Sequence, residues 1–330
     1  MEKQIKELMN EQILEKAAKS FGTELSDLKY VGGFQNFVYE YTKLGNPYIL
    51  RITYSSHRSA DQVNGELEWV LYLDQHGVSV SKPILSCSGS YVEIVNLEGS
   101  YFVIASFEKA PGSKIFYPEC MNNDTLSEMC GEITGRIHEL SRRYVPSRQK
   151  FKRHEWTENS YLKNIKRFIP SDQERVIEQY EQLVSEIHLL KKEHTYGLIH
   201  GDINVGNFHV DDQKLTLFDF DECQYSWYEE DIAVQLFYIV YVVLNDSIPE
   251  REEQARRFLE YFLKGYQRHT VMSEVSLCNL SLFLRLREFI VYIGMHRSFD
   301  FSQLNDWTST YLKESRDRLE QGVSIVEDFL

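Results

Sequence analysis

The sequence predicts an α+β fold, with a small antiparallel-sheet region followed by a larger, mainly helical one. Three observations carry that expectation. β-branched and aromatic runs broken by turn residues fill much of the first third, helical periodicity dominates from Thr125 onward, and one short cluster of strands interrupts the helices before Asp219. At 330 residues, 42% hydrophobic and 13% aromatic, the chain can bury a substantial core and form two domains, expected at 1–108 and 109–330.

The elements follow in order. Residues 1–20, "MEKQIKELMNEQILEKAAKS", read as an amphipathic helix with no apolar core of signal-peptide type. Residues 28–54 are rich in β-branched and aromatic side chains and are cut by Gly-Gly and Leu-Gly-Asn-Pro, giving two or three antiparallel strands. "SADQVNGELEWVLYLDQHG" places Val63, Leu67, Val70 and Leu71 on one side of a helix that ends at glycine. "SYVEIVNL" and "SYFVIASFE" are two further strands, ended by Ala110-Pro-Gly.

Beyond them, "TLSEMCGEITGRIHEL" opens with Thr125 and Glu128 in capping-box spacing, and "SDQERVIEQYEQLVSEIHLLKK" repeats the device with Ser171 and Glu174. Their apolar stripes are read as core. "YGLIHGD", "NFHVDD" and "KLTLFDFD" form the strand cluster, and helices over 250–268, 273–297 and about 307–319 close the chain.

With 36 Lys+Arg against 50 Asp+Glu the net charge is −14, which disfavours generic binding to nucleic acid or anionic membranes. The acidic groups Glu155, Asp221, Glu229 and Glu230 permit a cationic acceptor. Five scattered cysteines with no CxxC pair suggest neither a disulfide framework nor a zinc site, and a reducing, cytoplasmic setting is the simplest expectation. The longest apolar run, 232–244, is too short to span a bilayer.

The chemistry concentrates in "LIHGDINVGNFHV". His200, Asp202 and Asn207 make an HxDxxxxN pattern, and Asp219-Phe-Asp221 ends the next strand, so three oxygen-bearing side chains are expected at one spot. A divalent metal and a reacting hydroxyl both require that: the metal bridges phosphate oxygens while a carboxylate orients the attacking hydroxyl. A polar hairpin satisfying its own turns is the plainer alternative.

These residues resemble the aminoglycoside phosphotransferase, choline kinase and type II homoserine kinase superfamily, which has a protein-kinase-like bilobal fold. "LIHGDINVGNFHV" and "LFDFDECQYSWYEEDIA" carry the resemblance, supported by "GGFQNFVYEY", "YILRI", "GELEWVLYL", "SFEKAPG" and "ITGRIHEL". It implies a small antiparallel-sheet N-lobe, a larger helical C-lobe, and transfer of the ATP γ-phosphate, with Mg2+, to a hydroxyl of a small polar metabolite such as an amino alcohol or amino sugar. It makes Asp202 the catalytic base, Asn207 and Asp219 metal ligands, and Asp221 either a second ligand or a support.

By the same resemblance Gly32, Gly33 and Asn36 belong to the loop over the nucleotide phosphates, Glu66 is the acidic partner on the helix that follows the first strands of the N-lobe, and Phe107, Glu108 and Ala110 form the adenine hinge. His200 and Asp231 support the catalytic loop. Arg51 stands where many relatives place a phosphate-binding lysine; it is read as contacting phosphate or Glu66, against a surface ion pair. Glu66 itself competes with a solvated-helix reading because Glu68 lies nearby. The phosphate loop lacks GxGxxG, which loosens its expected grip. The other readings are a protein Ser/Thr kinase, disfavoured by the missing Ala-Pro-Glu segment and activation loop, and a non-catalytic binding protein on the same fold.

Overall fold

In the computed structural model residues 3–244 and 248–329 are described. The chain divides into two compact units, the first made of Met1–Gly112, Tyr144–Arg153 and Thr216–Asp221, the second of Ser113–Arg143, His154–Leu215 and Glu222–Leu330.

The first unit begins with α1 (Lys3–Leu8) and α2 (Glu11–Ser20), two helices where the sequence suggested one. The break is made by Asn10, whose side chain caps α2 by accepting from Ile13 N. Strands β1 (Lys29–Gly32), β2 (Phe37–Lys43) and β3 (Asn46–Tyr54) are followed by α3 (Ala60–Gln75), β4 (Pro83–Ile84), β5 (Glu93–Leu97) and β6 (Ser100–Glu108). They form one antiparallel sheet ordered β1-β2-β3-β6-β4, with β5 also on β6.

Strand alternation decides what each face of that sheet does. Phe37, Tyr39, Tyr41, Leu50 and Ile52 point to one face with Phe102 and Ile104, where Ile13, Ala17 and Phe21 cover them. Arg51 lies between Leu50 and Ile52, opposite Ala105, on the face that packs against Val63 and Leu67 of α3. Ser59 and Gln62 close a reciprocal capping box that fixes the start of α3.

The second unit carries α4 (Asp124–Ser141), α5 (Ser160–Lys163), α6 (Ile165–Phe168), α7 (Glu174–His188), β7 (Tyr196–Ile199), β8 (Phe208–Asp211), β9 (Lys214–Leu217), β10 (Gln224–Trp227), α8 (Tyr228–Val240), α9 (Ile248–Tyr266), α10 (Glu274–Cys278), α11 (Leu280–Ser298) and α12 (Asp306–Gln321). Strand β9 crosses from this unit into the first. Helix α4 packs on α9, and α8 on α11. Glycines allow the first contact: a Cβ at Gly131 would stand 1.8 Å from the Phe262 carbonyl oxygen, and one at Gly265 would stand 2.0 Å from that of Glu128.

Three readings of the helical part are corrected. The cap of α4 is Asn123, accepting from Leu126 N, because the helix starts before Thr125. Helix α7 begins at Glu174 with no side-chain cap. The expected 273–297 helix is two helices, α10 and α11, separated at Asn279. Strand β10 was not expected; it pairs with β7 and leads directly into α8. No helix among the described residues is long and apolar enough to cross a membrane, and the five cysteines are free thiols.

Candidate active site

In the second unit, the loop from His200 to Asn207 links β7 to β8. Asp202 lies in it with its Oδ2 accepting from Asn207 Nδ2 at 2.9 Å, and the same amide donates to the Asp202 carbonyl at 2.8 Å. Asn204 Nδ2 donates to that carbonyl and its Oδ1 accepts from Gly206 N, so Asn204 holds the turn. The Asn207 bonds are made by its nitrogen and leave the amide oxygen as the atom suited to a hard cation.

Asp231, in the first turn of α8, braces this loop by accepting from His200 N at 2.9 Å and Gly201 N at 2.7 Å. His138 Nε2 meets Asp231 Oδ2 at 3.2 Å, and His138 Nδ1 meets the Tyr266 hydroxyl at 2.8 Å. The close α4–α9 contact thus delivers His138 and Tyr266 to the residue that fixes the loop. Burial pushes the Asp231 carboxyl up, but the hydrogen bond and charge of His138 outweigh it and leave Asp231 below its usual range. His200 is fully buried, and its Nδ1 accepts from Asp202 N at 3.2 Å, the geometry of a scaffold residue.

Asp202 itself is held above its usual carboxylate range, chiefly by burial, with the Arg287 charge opposing. Arg287, on α11, donates through one terminal nitrogen to Asp202 Oδ1 and to the Tyr238 hydroxyl. Sequence reading missed it; the available signal was a set of charges, Arg285, Arg287 and Glu288, inside the largely apolar "LFLRLREFIVYIG". Glu229 and Glu230 are only 1% and 2% exposed. Glu230 accepts from Gln224 and Ser226, while Glu155 accepts from Tyr196. Three of the acids suggested for a cationic acceptor therefore serve the interior or its edge. Trp156, Trp227 and Tyr228 are core.

In the first unit, Arg51 and Glu66 form a buried two-pronged pair, at 2.7 Å and 2.6 Å. Burial disfavours the Arg51 charge, but Glu66 more than offsets this and holds the guanidinium protonated above its usual range. Glu66 is thus not a solvated helix residue. Its neighbour Glu68 instead accepts from the Tyr144 hydroxyl and from Ser147. Arg51 also stands 3.7 Å from Asp219, whose side chain is 48% exposed and whose φ is +62°, a left-handed conformation uncommon outside glycine, asparagine and aspartate.

Asp221 is buried and encircled. Its Oδ2 accepts from Asn36 Nδ2 at 3.0 Å and meets His57 Nε2 at 2.6 Å, Arg58 lies 3.3 Å from Oδ1, and its carbonyl accepts from Arg58 and Arg153. Burial raises its pKa, yet His57 and Arg58 dominate and keep it well below the usual carboxylate range. His57, Arg58 and Arg153 were not singled out in the sequence, since they lie in polar loops and belong to no motif. Asn36 is also buried; its Oδ1 accepts from Thr53, so this side chain points into the unit.

Gly33 is required where it stands, with φ +126° and a notional Cβ 2.0 Å from Asn36 O; Gly32 shares the φ but has open space. Phe107 and Glu108 end β6, Phe107 lies 5.1 Å from the Arg51 guanidinium carbon, and Glu108 bonds through its backbone to Lys82 and Ser81. Ala110 follows and is buried.

An HxDxxxxN loop braced by a buried aspartate, and a sheet whose buried cation pairs with an acid on the adjoining helix, are features of a phosphotransferase. The chain belongs to the phosphotransferase enzyme family, which matches residues 28–272. It is 36% identical to amicoumacin kinase of Bacillus subtilis (strain 168) over 98% of this chain and 96% of that protein. Among solved structures, amicoumacin kinase in complex with AMP-PNP, Ca2+ and Ami superposes with TM-score 0.90 at 34% identity, covering 99% of this chain and 98% of that one. A microcompartment-associated aminopropanol kinase shares the fold, with TM-score 0.75 at 18% identity, covering 96% of this chain and 100% of that one. The chain is a small-molecule kinase of this family.

Proposed function

We propose that this enzyme transfers the γ-phosphate of ATP, with a divalent cation such as Mg2+, to a hydroxyl of a small polar metabolite, and that an amicoumacin-like molecule is the first acceptor to test. The reading rests on Asp202: a partly buried carboxylate oriented by Asn207, on a loop pinned by Asp231, at the position that the family resemblance makes catalytic. The identity with amicoumacin kinase over nearly the whole chain supports the acceptor.

In this reading Asp202 accepts the proton of the attacking hydroxyl, and its raised pKa makes it a better base than a solvated aspartate. Asn207 and Asp219 would hold the cation, since their amide and carboxylate oxygens are the hard donors Mg2+ prefers, and its charge would offset that of the phosphates. Arg51, kept charged and in place by Glu66, orients phosphate. Gly32 and Gly33 bring backbone to the phosphates, whereas Asn36 and Asp221 fasten the loop and the metal-binding segment from behind. Phe107, Glu108 and Ala110 line the adenine. The domains read from the sequence at 1–108 and 109–330 serve as N-lobe and C-lobe in this reading, and the enzyme works in the cytoplasm.

A protein acceptor is disfavoured because the chain runs from Asp219 through a single 3-10 turn and β10 straight into α8, with no activation segment. The test is a coupled assay with Mg-ATP or Mg-GTP against amicoumacin, homoserine, choline and amino sugars. Transfer to a member of this panel, faster with ATP, supports the reading. Absence of transfer together with absence of calorimetric binding of Mg-ATP removes it and favours a non-catalytic binding protein.

A further inference from the structure

Arg287 stands out among the buried cations of the second unit. Arg318 grips Glu288 with Nε and a terminal nitrogen together, at 3.0 Å and 2.7 Å, as a structural fork does. Arg287 instead touches Asp202 through one nitrogen, shares that nitrogen with Tyr238 at 2.6 Å, and reaches the Gly201 carbonyl only at 3.5 Å. Its Nε is buried without a hydrogen-bond partner among the described residues, and its side chain is 8% exposed. A guanidinium has five donors and cannot shed its charge, so a buried one with donors to spare calls for oxygen acceptors.

Its place determines which acceptors those are. Asn207 fixes Asp202 Oδ2, and Arg287 fixes Oδ1. A hydroxyl that hydrogen-bonds to this carboxylate brings its adjoining carbon, and whatever that carbon bears, up to the guanidinium. A carbonyl or carboxylate oxygen there meets the spare N–H groups. Glu229 and Glu230 are turned inward, while the partly buried Glu222 acts on Asp202, so the spare N–H groups and not the net charge carry the preference.

We propose that Arg287 is the acceptor-specificity residue: it receives a carbonyl, carboxamide or carboxylate oxygen on the carbon next to the accepting hydroxyl. The proposal rests on Asp202 being the base, as argued above. Arg287 keeps one terminal nitrogen on Asp202 while the other, which reaches the Gly201 carbonyl only at 3.5 Å, turns to the acceptor.

Two probes that share a secondary hydroxyl and an ammonium, 3-amino-2-hydroxypropanamide and 1-amino-2-propanol, differ in the carboxamide alone. They are compared as acceptors with Mg-ATP and, by calorimetry, as ligands of the protein loaded with Mg-AMP-PNP, for wild type, Arg287→Lys and Arg287→Met. Melting temperature checks that each chain is folded. Wild type is expected to favour the carboxamide by about tenfold or more, mainly in KM or Kd, Arg287→Met to lose that preference, and Arg287→Lys to keep part of it.

An equal preference in wild type and Arg287→Met overturns the proposal, as does a parallel loss for both probes, which marks Arg287 as a clamp on Asp202 alone. Failure of the carboxamide to bind or react with wild type also overturns it. Binding that follows the predicted order without any phosphate transfer overturns the phosphotransfer reading instead.

Discussion

Asn36 and Asp221 meet side chain to side chain, Nδ2 to Oδ2 at 3.0 Å, in the interior of the first unit. The other end of the same amide accepts from Thr53 at 2.7 Å, so one side chain ties the β1–β2 loop to β3 and to the segment carrying Asp219. Asn36→Ala breaks both bonds and is expected to cost roughly 2 kcal/mol in urea unfolding. Asn36→Asp sets a second carboxylate against Asp221 and should cost more. Equal stability of the two variants would contradict this arrangement.

The Arg51–Glu66 pair gives a second expectation. Arg51→Met leaves the Glu66 carboxylate buried with its partner gone and is expected to destabilise by about 3–5 kcal/mol. Adding Glu66→Leu removes the orphaned charge and should recover much of the stability without recovering phosphate transfer. A double-mutant cycle on the unfolding midpoint, run beside the kinase assay, checks both halves.

Helix α4 approaches α9 closely because Gly131, like Gly135 and Gly265, has no side chain. Gly131→Ala improves intrinsic helix propensity yet drives a methyl into the Phe262 carbonyl, so a net loss of about 3 kcal/mol is expected. Because His138 rides on α4, activity should fall along with the melting temperature. A stabilised Gly131→Ala enzyme would refute the close contact.

Glu229 supplies a pH dependence. Burial raises its carboxyl pKa from 4.5 to about 7, and its Oε2 has no hydrogen-bond partner among the described residues. The folded state therefore holds this proton more tightly than the unfolded chain does. Its contribution to stability is whole below pH 4.5, falls as pH rises towards about 7, and is constant above. Glu229→Gln should match wild type near pH 5 and exceed it at pH 8 by roughly 3 kcal/mol at most. Thermal unfolding at the two pH values measures the difference.

Much of the fold was legible in local pattern. Alternation in "YILRITY" and "SYFVIASFE" located β3 and β6, whose apolar residues can pack only as a pleated sheet. Helix starts were less legible: Thr125 and Ser171 have capping spacing, but Asn123 caps α4 two residues earlier, because which capable residue acts depends on where tertiary packing begins the helix. Of the residues read for the site, Asp202 and Asn207 are joined directly, as are Arg51 and Glu66. Arg287, His57 and Arg58 were hidden, because each meets its carboxylate across a long stretch of sequence and none belongs to a local motif. Asp221 and Asn36 were visible as polar residues, but their mutual bond depends on three-dimensional closure.

The most direct test concerns Asp202. Phosphate transfer from Mg-ATP to amicoumacin is measured for wild type and Asp202→Asn, together with Mg-ATP affinity. The account predicts transfer by wild type, a fall in kcat of about a thousandfold in Asp202→Asn, and Mg-ATP binding by both. An Asp202→Asn enzyme that transfers phosphate at the wild-type rate would contradict it.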